Sequence, residues 1–166
     1  MQTYSNAPHT PEPASDRAML HDLMITVQIF DTDCYGVMWH GAYAKWLEQA
    51  RVQWLRQRGI DLSQPPYAPP EAQWLFPVAS QQLTYKAPAR FGQTLQICSQ
   101  AQLLGRNRIV FEQTCTIVPD NTLTLTAQTV CVVIDNRWRP VRMMPEALQA
   151  VFSAPPAETF LEHANF

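Results

Sequence analysis

The stretch IFDTDCYGVMWHGAYAKWLEQARVQWL, residues 29–55, decides the fold, because two kinds of pattern meet inside it. In its second half Tyr43, Trp46, Leu47, Ala50 and Trp54 recur at i, i+3, i+4, i+7 and i+11, one apolar stripe of an α-helix. The stripe predicts a helix over roughly 40–58, with Gly59 as its stop. Its first half crowds Asp31, Asp33, Cys34, Gly36 and His40 into the residues just ahead of that helix. A helix this apolar needs a sheet face to lie on, so the rest of the chain has to supply one.

It does. LMITVQIF (23–30) is rich in β-branched residues and predicts a strand before the polar loop. After the helix, SQPPYAPPEAQW (63–74) carries four prolines and reads as a connection. Four strands follow over 76–87, 94–104, 108–118 and 123–135, separated by PARFGQ, GRN and PDNT. In the last three strands the apolar set falls on odd positions, from Leu95 and Ile97 through Ile109, Phe111, Cys115 and Ile117 to Leu123, Leu125, Ala127, Cys131 and Val133. That is the period of a sheet with one buried face. PEALQAVF (145–152) predicts a short closing helix. The expected architecture is α+β: a curved antiparallel sheet wrapped around one long central helix, in a single domain over 22–152, with tails at 1–21 and 153–166.

Composition narrows the function. The chain has 166 residues, 46% hydrophobic and 16% charged, with a formal net charge of −2, which gives no basic footprint for nucleic acid. So low a charge fraction suits a chain that buries further surface between subunits. No apolar run approaches the ~20 residues of a membrane span, and the first twenty residues lack the pattern of a signal peptide, so a cytoplasmic protein is expected. Cys34, Cys98, Cys115 and Cys131 have no metal-type spacing, and the last three sit in strand patterns as small core residues, so no metal site is expected. Ten of the twelve basic residues are Arg, the better fork for phosphate.

The motif in 29–55 resembles the signature of hotdog-fold acyl-CoA thioesterases of the 4-hydroxybenzoyl-CoA thioesterase family. It is especially similar to the bacterial branch associated with the Tol-Pal cluster, with its D-T-D, short gap, G-V, then aromatic and His. YKAPARFGQTL (85–95) resembles the second signature of that family, and VCVVIDNRWRPVRMMPEAL (130–148) its closing strand, Arg-Pro turn and last helix. The resemblance implies a hotdog fold, a homodimer or homotetramer with sites at subunit interfaces, and hydrolysis of an acyl-CoA, aromatic or short to medium aliphatic, without metal or cofactor.

It implies site residues as well. Asp33 takes the place of the catalytic carboxylate, as nucleophile or as general base toward water. The oxyanion donor is a backbone N–H at the helix start, near His40 and Gly41. Gly36 lets the loop turn, and Tyr35, Gly36, Trp39 and Tyr43 line the substrate pocket. Arg90, Arg106, Arg108, Arg139 and Arg142 are the groups for the CoA phosphates. Other readings of the same residues stand beside these. Asp33 can be a loop or capping residue, Asp31 a structural acceptor of loop amides, Tyr43 ordinary core, and each Arg a solvated charge. The His40 ring can bond the thioester oxygen, orient water, or cap the helix. Cys34 and His40 offer a thiol nucleophile pair. Tyr35 and the proline-rich insert 63–76 depart from the family pattern. Rival functions are a non-catalytic hotdog dimer binding acyl-CoA or acyl carrier protein, and a hotdog dehydratase or hydratase.

Overall fold

The structure, a computed structural model, describes residues 22–60 and 74–152. The two tails and most of the proline-rich insert lie outside the described residues. Five antiparallel strands form one sheet: β1 (Asp22–Thr26), β2 (Val78–Tyr85), β3 (Thr94–Leu104), β4 (Arg108–Val118) and β5 (Thr122–Val132), in the order β1-β3-β4-β5-β2. Helix α1 (His40–Gln57) lies against β1 and β3, and the short α2 (Glu146–Phe152) closes the far end. The antiparallel sheet with one long helix against it, expected from the helical stripe and the period-2 strands, is present, and it is the hotdog architecture that the resemblance implies.

The helix ends as its sequence dictates. Gly59 has φ +80°, a conformation that only glycine adopts without strain. It lets the Gly59 amide donate to the Arg56 carbonyl and the Ile60 amide to the Leu55 carbonyl, the paired bonds of a Schellman stop.

Two boundaries differ from the pattern. β1 ends at Thr26, and Ile29–Asp31 form a 3₁₀ turn instead of continuing it. The Asp31 carboxylate accepts the Gln28 amide and so turns the chain, leaving Ile29 and Phe30 exposed. In β5 the register shifts between Cys115 and Thr116 of β4, so the even-numbered Thr124 is buried while Leu123 is only half-buried. Cys115 and Cys131 are core, as expected. Cys98 is half-buried: its even number puts it on the sheet's outer face, opposite Ile97.

The core has three zones along the strands. Near the start of α1, Ile25, Leu95, Ile97, Cys115 and Leu125 pack on Ala42, Tyr43 and Leu47. Near its end Trp54 and Leu55 meet Ile109, Phe111, Val133 and Phe152. Between them runs a polar belt. Buried Arg51 of α1 donates to Gln113 Oε1 at 3.2 Å and Thr129 Oγ1 at 3.4 Å, and pairs with Glu48. Gln113 in turn donates to the Leu47 carbonyl and to Ser99 Oγ. A buried guanidinium is tolerated because the belt supplies acceptors that replace water.

Candidate active site

Asp33 stands in a tight loop between the 3₁₀ turn and α1. Its Oδ1 accepts the Tyr35 amide at 2.9 Å and the Val37 amide at 3.3 Å, and the Gly36 amide donates to its carbonyl at 3.0 Å. Gly36 has φ +73°, so glycine is the residue this turn requires. The carboxylate is exposed and faces solvent in the single chain. Asp33 thus does hold its loop together, which is compatible with a second task for a carboxylate that has further lone pairs.

Asp31 is the opposite case. It is fully buried, and both carboxylate oxygens are engaged: Oδ2 by the Gln28 amide at 3.1 Å and Oδ1 by Lys45 Nζ at 2.6 Å. Its main-chain carbonyl also accepts the Trp39 amide at 3.0 Å. The sequence marks Asp31 as an acceptor of loop amides, and the structure adds Lys45, which sequence reasoning missed. The signal was the unusual single Lys among the apolar residues of the helix.

The helix start lies directly after this loop. Trp39 is the N-cap residue and its side chain makes no capping bond. The His40 imidazole is exposed and stands edge-on to the Trp39 indole, with ring centres 5.3 Å apart, so the capping role open to it in the sequence falls away. Trp39 donates to Asp31 and Ala42 donates to the Trp39 carbonyl. The amides of His40 and Gly41 fall in the first turn, where helix geometry provides no acceptor and the dipole favours negative charge. Gly41 has a steric reason to be glycine: a Cβ there would stand 1.9 Å from the Trp39 ring, which lies over the first turn.

The second signature docks onto the first. Val37 bridges Arg90, the Met38 amide donates to the Ala89 carbonyl at 2.7 Å, and Gly92 and Gln93 bond Val27. Arg90 therefore stands beside the Asp33 loop. Tyr43 is buried in the near core cluster, edge-on to Tyr85, and bonds Thr124 and the Ala89 backbone; burial pushes its hydroxyl pKa up. Tyr35 is 82% exposed and Trp39 41%, so these two aromatics flank the loop in the open.

Arg106, Arg108, Arg139 and Arg142 are elsewhere. They lie past the C-terminal ends of β3 and β5 and at the start of β4, where Met144 bonds the Arg106 carbonyl and Asn107 bonds Val133 and Val141. The loop of Asp33 sits at the other end of the same strands, about 33 Å away for an eleven-residue strand. Ile60, ahead of the proline-rich insert, and Trp74 and Phe76, at its described end, also pack in the far cluster. Cys34 is exposed beside Asp33, and no contact pairs it with His40. Among the described residues no group of three or more His, Cys, Asp or Glu is placed to hold a metal ion, and no helix is long and apolar enough to cross a membrane.

Comparison with known proteins meets this geometry. The family described as the thioesterase-like superfamily matches residues 27–152. The chain is 30% identical over 152 residues to the Synechocystis sp. protein sll0410, covering 84% of this chain and 89% of that one. It is 31% identical over 124 residues to the acyl-CoA thioester hydrolase YbgC of Escherichia coli O6:H1, covering 75% of this chain and 86% of YbgC. Slr0204, a 1,4-dihydroxy-2-naphthoyl-CoA thioesterase from Synechocystis, shares the fold at a TM-score of 0.70 and 19% identity, covering 80% of this chain and 94% of that one.

Proposed function

The chain belongs to the thioesterase-like superfamily, and on that premise we propose that it hydrolyses an acyl-CoA to the free acid and CoA, with Asp33 as the catalytic carboxylate. The observation that carries this reading is the tie between the Asp33 loop and the first turn of α1, through the Asp31 carbonyl and the Trp39 amide. On this reading the thioester carbonyl lies between the Asp33 carboxylate and the His40 and Gly41 amides, and the tie supports it by holding the loop against the helix start. Asp33 adds to the thioester carbonyl or takes a proton from the water that does. In either route the new C–O bond forms, the amides hold the oxyanion, and the C–S bond breaks as the CoA sulfur leaves. Where water attacks, Asp33 hands the proton it took to the sulfur. Where Asp33 attacks, water then cleaves the acyl–Asp33 anhydride, which frees the acid, restores the carboxylate and supplies the proton that the thiolate takes. Water and the chain's own groups suffice for these steps. Trp39 and Tyr35 offer an aromatic wall for the acyl group, which suits an aryl or a short to medium aliphatic chain.

The arginines that the resemblance implies for the CoA phosphates lie at both ends of the molecule. Arg90 stands beside Asp33, whereas Arg106, Arg108, Arg139 and Arg142 are a sheet length away. A homodimer reconciles them. Among the described residues β2, VASQQLTY, pairs with β5 on one side only and carries no charge and no proline, an open edge that another strand can extend. Antiparallel pairing of two β2 strands reverses one copy end for end, so the arginine end of the second copy lies alongside the Asp33 end of the first.

The test is thiol release from benzoyl-, phenylacetyl-, naphthoyl- and fatty-acyl-CoAs by wild type and by Asp33→Asn. Turnover of at least one substrate by wild type, with a loss above tenfold in the variant, is expected. No turnover of any, or an active variant, overturns the assignment.

A further inference from the structure

We propose that Lys45 is a positioning residue for hydrolysis: through Asp31 it fixes the Asp33 loop against the first turn of α1. The inference rests on the assignment of Asp33 and the helix-start amides above. Asp31 is a joint between three segments. Its carbonyl holds the Trp39 amide, one residue before His40; its Oδ2 holds the Gln28 amide, at the entry to the 3₁₀ turn; and its Oδ1 meets Lys45 Nζ at 2.6 Å, more than one turn into the helix. The carboxylate is 1% exposed, so in the folded chain its partner on Oδ1 is the ammonium and not bulk water.

The ammonium is itself fixed. Nζ stands 4.3 Å from the centre of the Trp46 ring and 5.2 Å from that of Phe30, aromatic faces on the helix and on the loop. Lys45 therefore contacts both sides of the joint. Asp33 is two residues from Asp31 along a short turn, and His40 is one residue from Trp39. Releasing the Lys45 bond lets the carboxylate and the donor amides shift against each other, and a misplacement of about 1 Å costs on the order of a hundredfold in rate. The Lys45 side chain is 46% exposed and touches none of the reacting groups, so its effect on rate passes through Asp31.

The experiment measures kcat, KM and Tm for Lys45→Met and Lys45→Arg, alongside Asp33→Asn. Lys45→Met keeps the aliphatic stem and removes the charge. A fall in kcat of at least tenfold with KM within about twofold is expected, at a temperature well below the Tm of the variant, with recovery to within about threefold of wild type in Lys45→Arg. If Lys45→Met fails to fold, the double variant Asp31→Asn, Lys45→Met removes the buried unpaired charge, and it must show the same loss in kcat. Wild-type kcat in the folded Lys45→Met or in the double variant overturns the proposal, as does a loss that Lys45→Arg leaves uncorrected. An active Asp33→Asn would instead refute the underlying assignment, so the two failures are distinct.

Discussion

Asp33 bonds two loop amides and is also the group assigned the chemistry, so a residue-scale account has to separate the two tasks. Asparagine does this, because its side-chain carbonyl accepts the same amides without the charge. Gly41 offers a second separation. Replacing glycine inside a helix by alanine ordinarily gains about 1 kcal/mol. Here the new Cβ would meet the Trp39 ring at 1.9 Å, so the ring must leave the first turn. Gly41→Ala is expected to fall short of that gain in urea unfolding, and to show it in full when Trp39→Ala is already present. An equal gain in both backgrounds would mean that the ring is not seated there. A third effect belongs to the buried thiols. Burial pushes Cys115 from 9.0 up to about 12, and Cys131 to about 11. Below pH 9 both states keep these protons and the thiols add no pH dependence. Above it the unfolded chain ionises first, so stability falls as pH rises, by up to about 1.4 kcal/mol per pH unit per thiol. Urea midpoints between pH 8 and 10.5 check this, and Cys115→Ala should reduce the slope.

At the scale of elements, α1 was legible from its stripe and the three long strands from their alternation, because both periods report a buried face. The buried Arg51 was not legible. A charge inside an apolar stripe looks like an edge residue, and only the arrival of Gln113 and Thr129 from strands far along the chain makes its burial tolerable. The same limit applies to the site. The motif contains Asp31, Asp33, Gly36 and His40 in sequence order, but the Lys45 partnership needs the helix to be folded against the loop. The burial of Thr124 depends on a register shift that no local pattern marks. Arg51→Met is expected to destabilise by about 1–3 kcal/mol in chemical denaturation, since it strands the Gln113 carbonyl oxygen. Adding Gln113→Leu should recover part of the loss. No loss in the single variant would show that the belt does not seat the helix.

For the whole molecule, one chain carries a carboxylate at one end of its sheet and most of its arginines at the other. A two-fold arrangement through β2 brings unlike ends together, and the sparse charge of the chain fits such burial. Hydrogen exchange tests it. In a lone chain alternate amides of Val78–Tyr85 point outward and exchange fast, because among the described residues β5 alone covers β2, on one edge. Protection of every β2 amide at the level of β4 is expected, and fast exchange of alternate amides would rule out the pairing.

The most direct test of the central claim compares kcat for Asp33→Asn with wild type on the best acyl-CoA substrate, with the loop checked by Tm. The account predicts an unchanged Tm, because the Tyr35 and Val37 amides keep their acceptor, and a kcat lowered more than tenfold, a loss above about 1.4 kcal/mol. A variant with wild-type Tm and a kcat within tenfold of wild type would contradict it, leaving Asp33 as a loop residue alone.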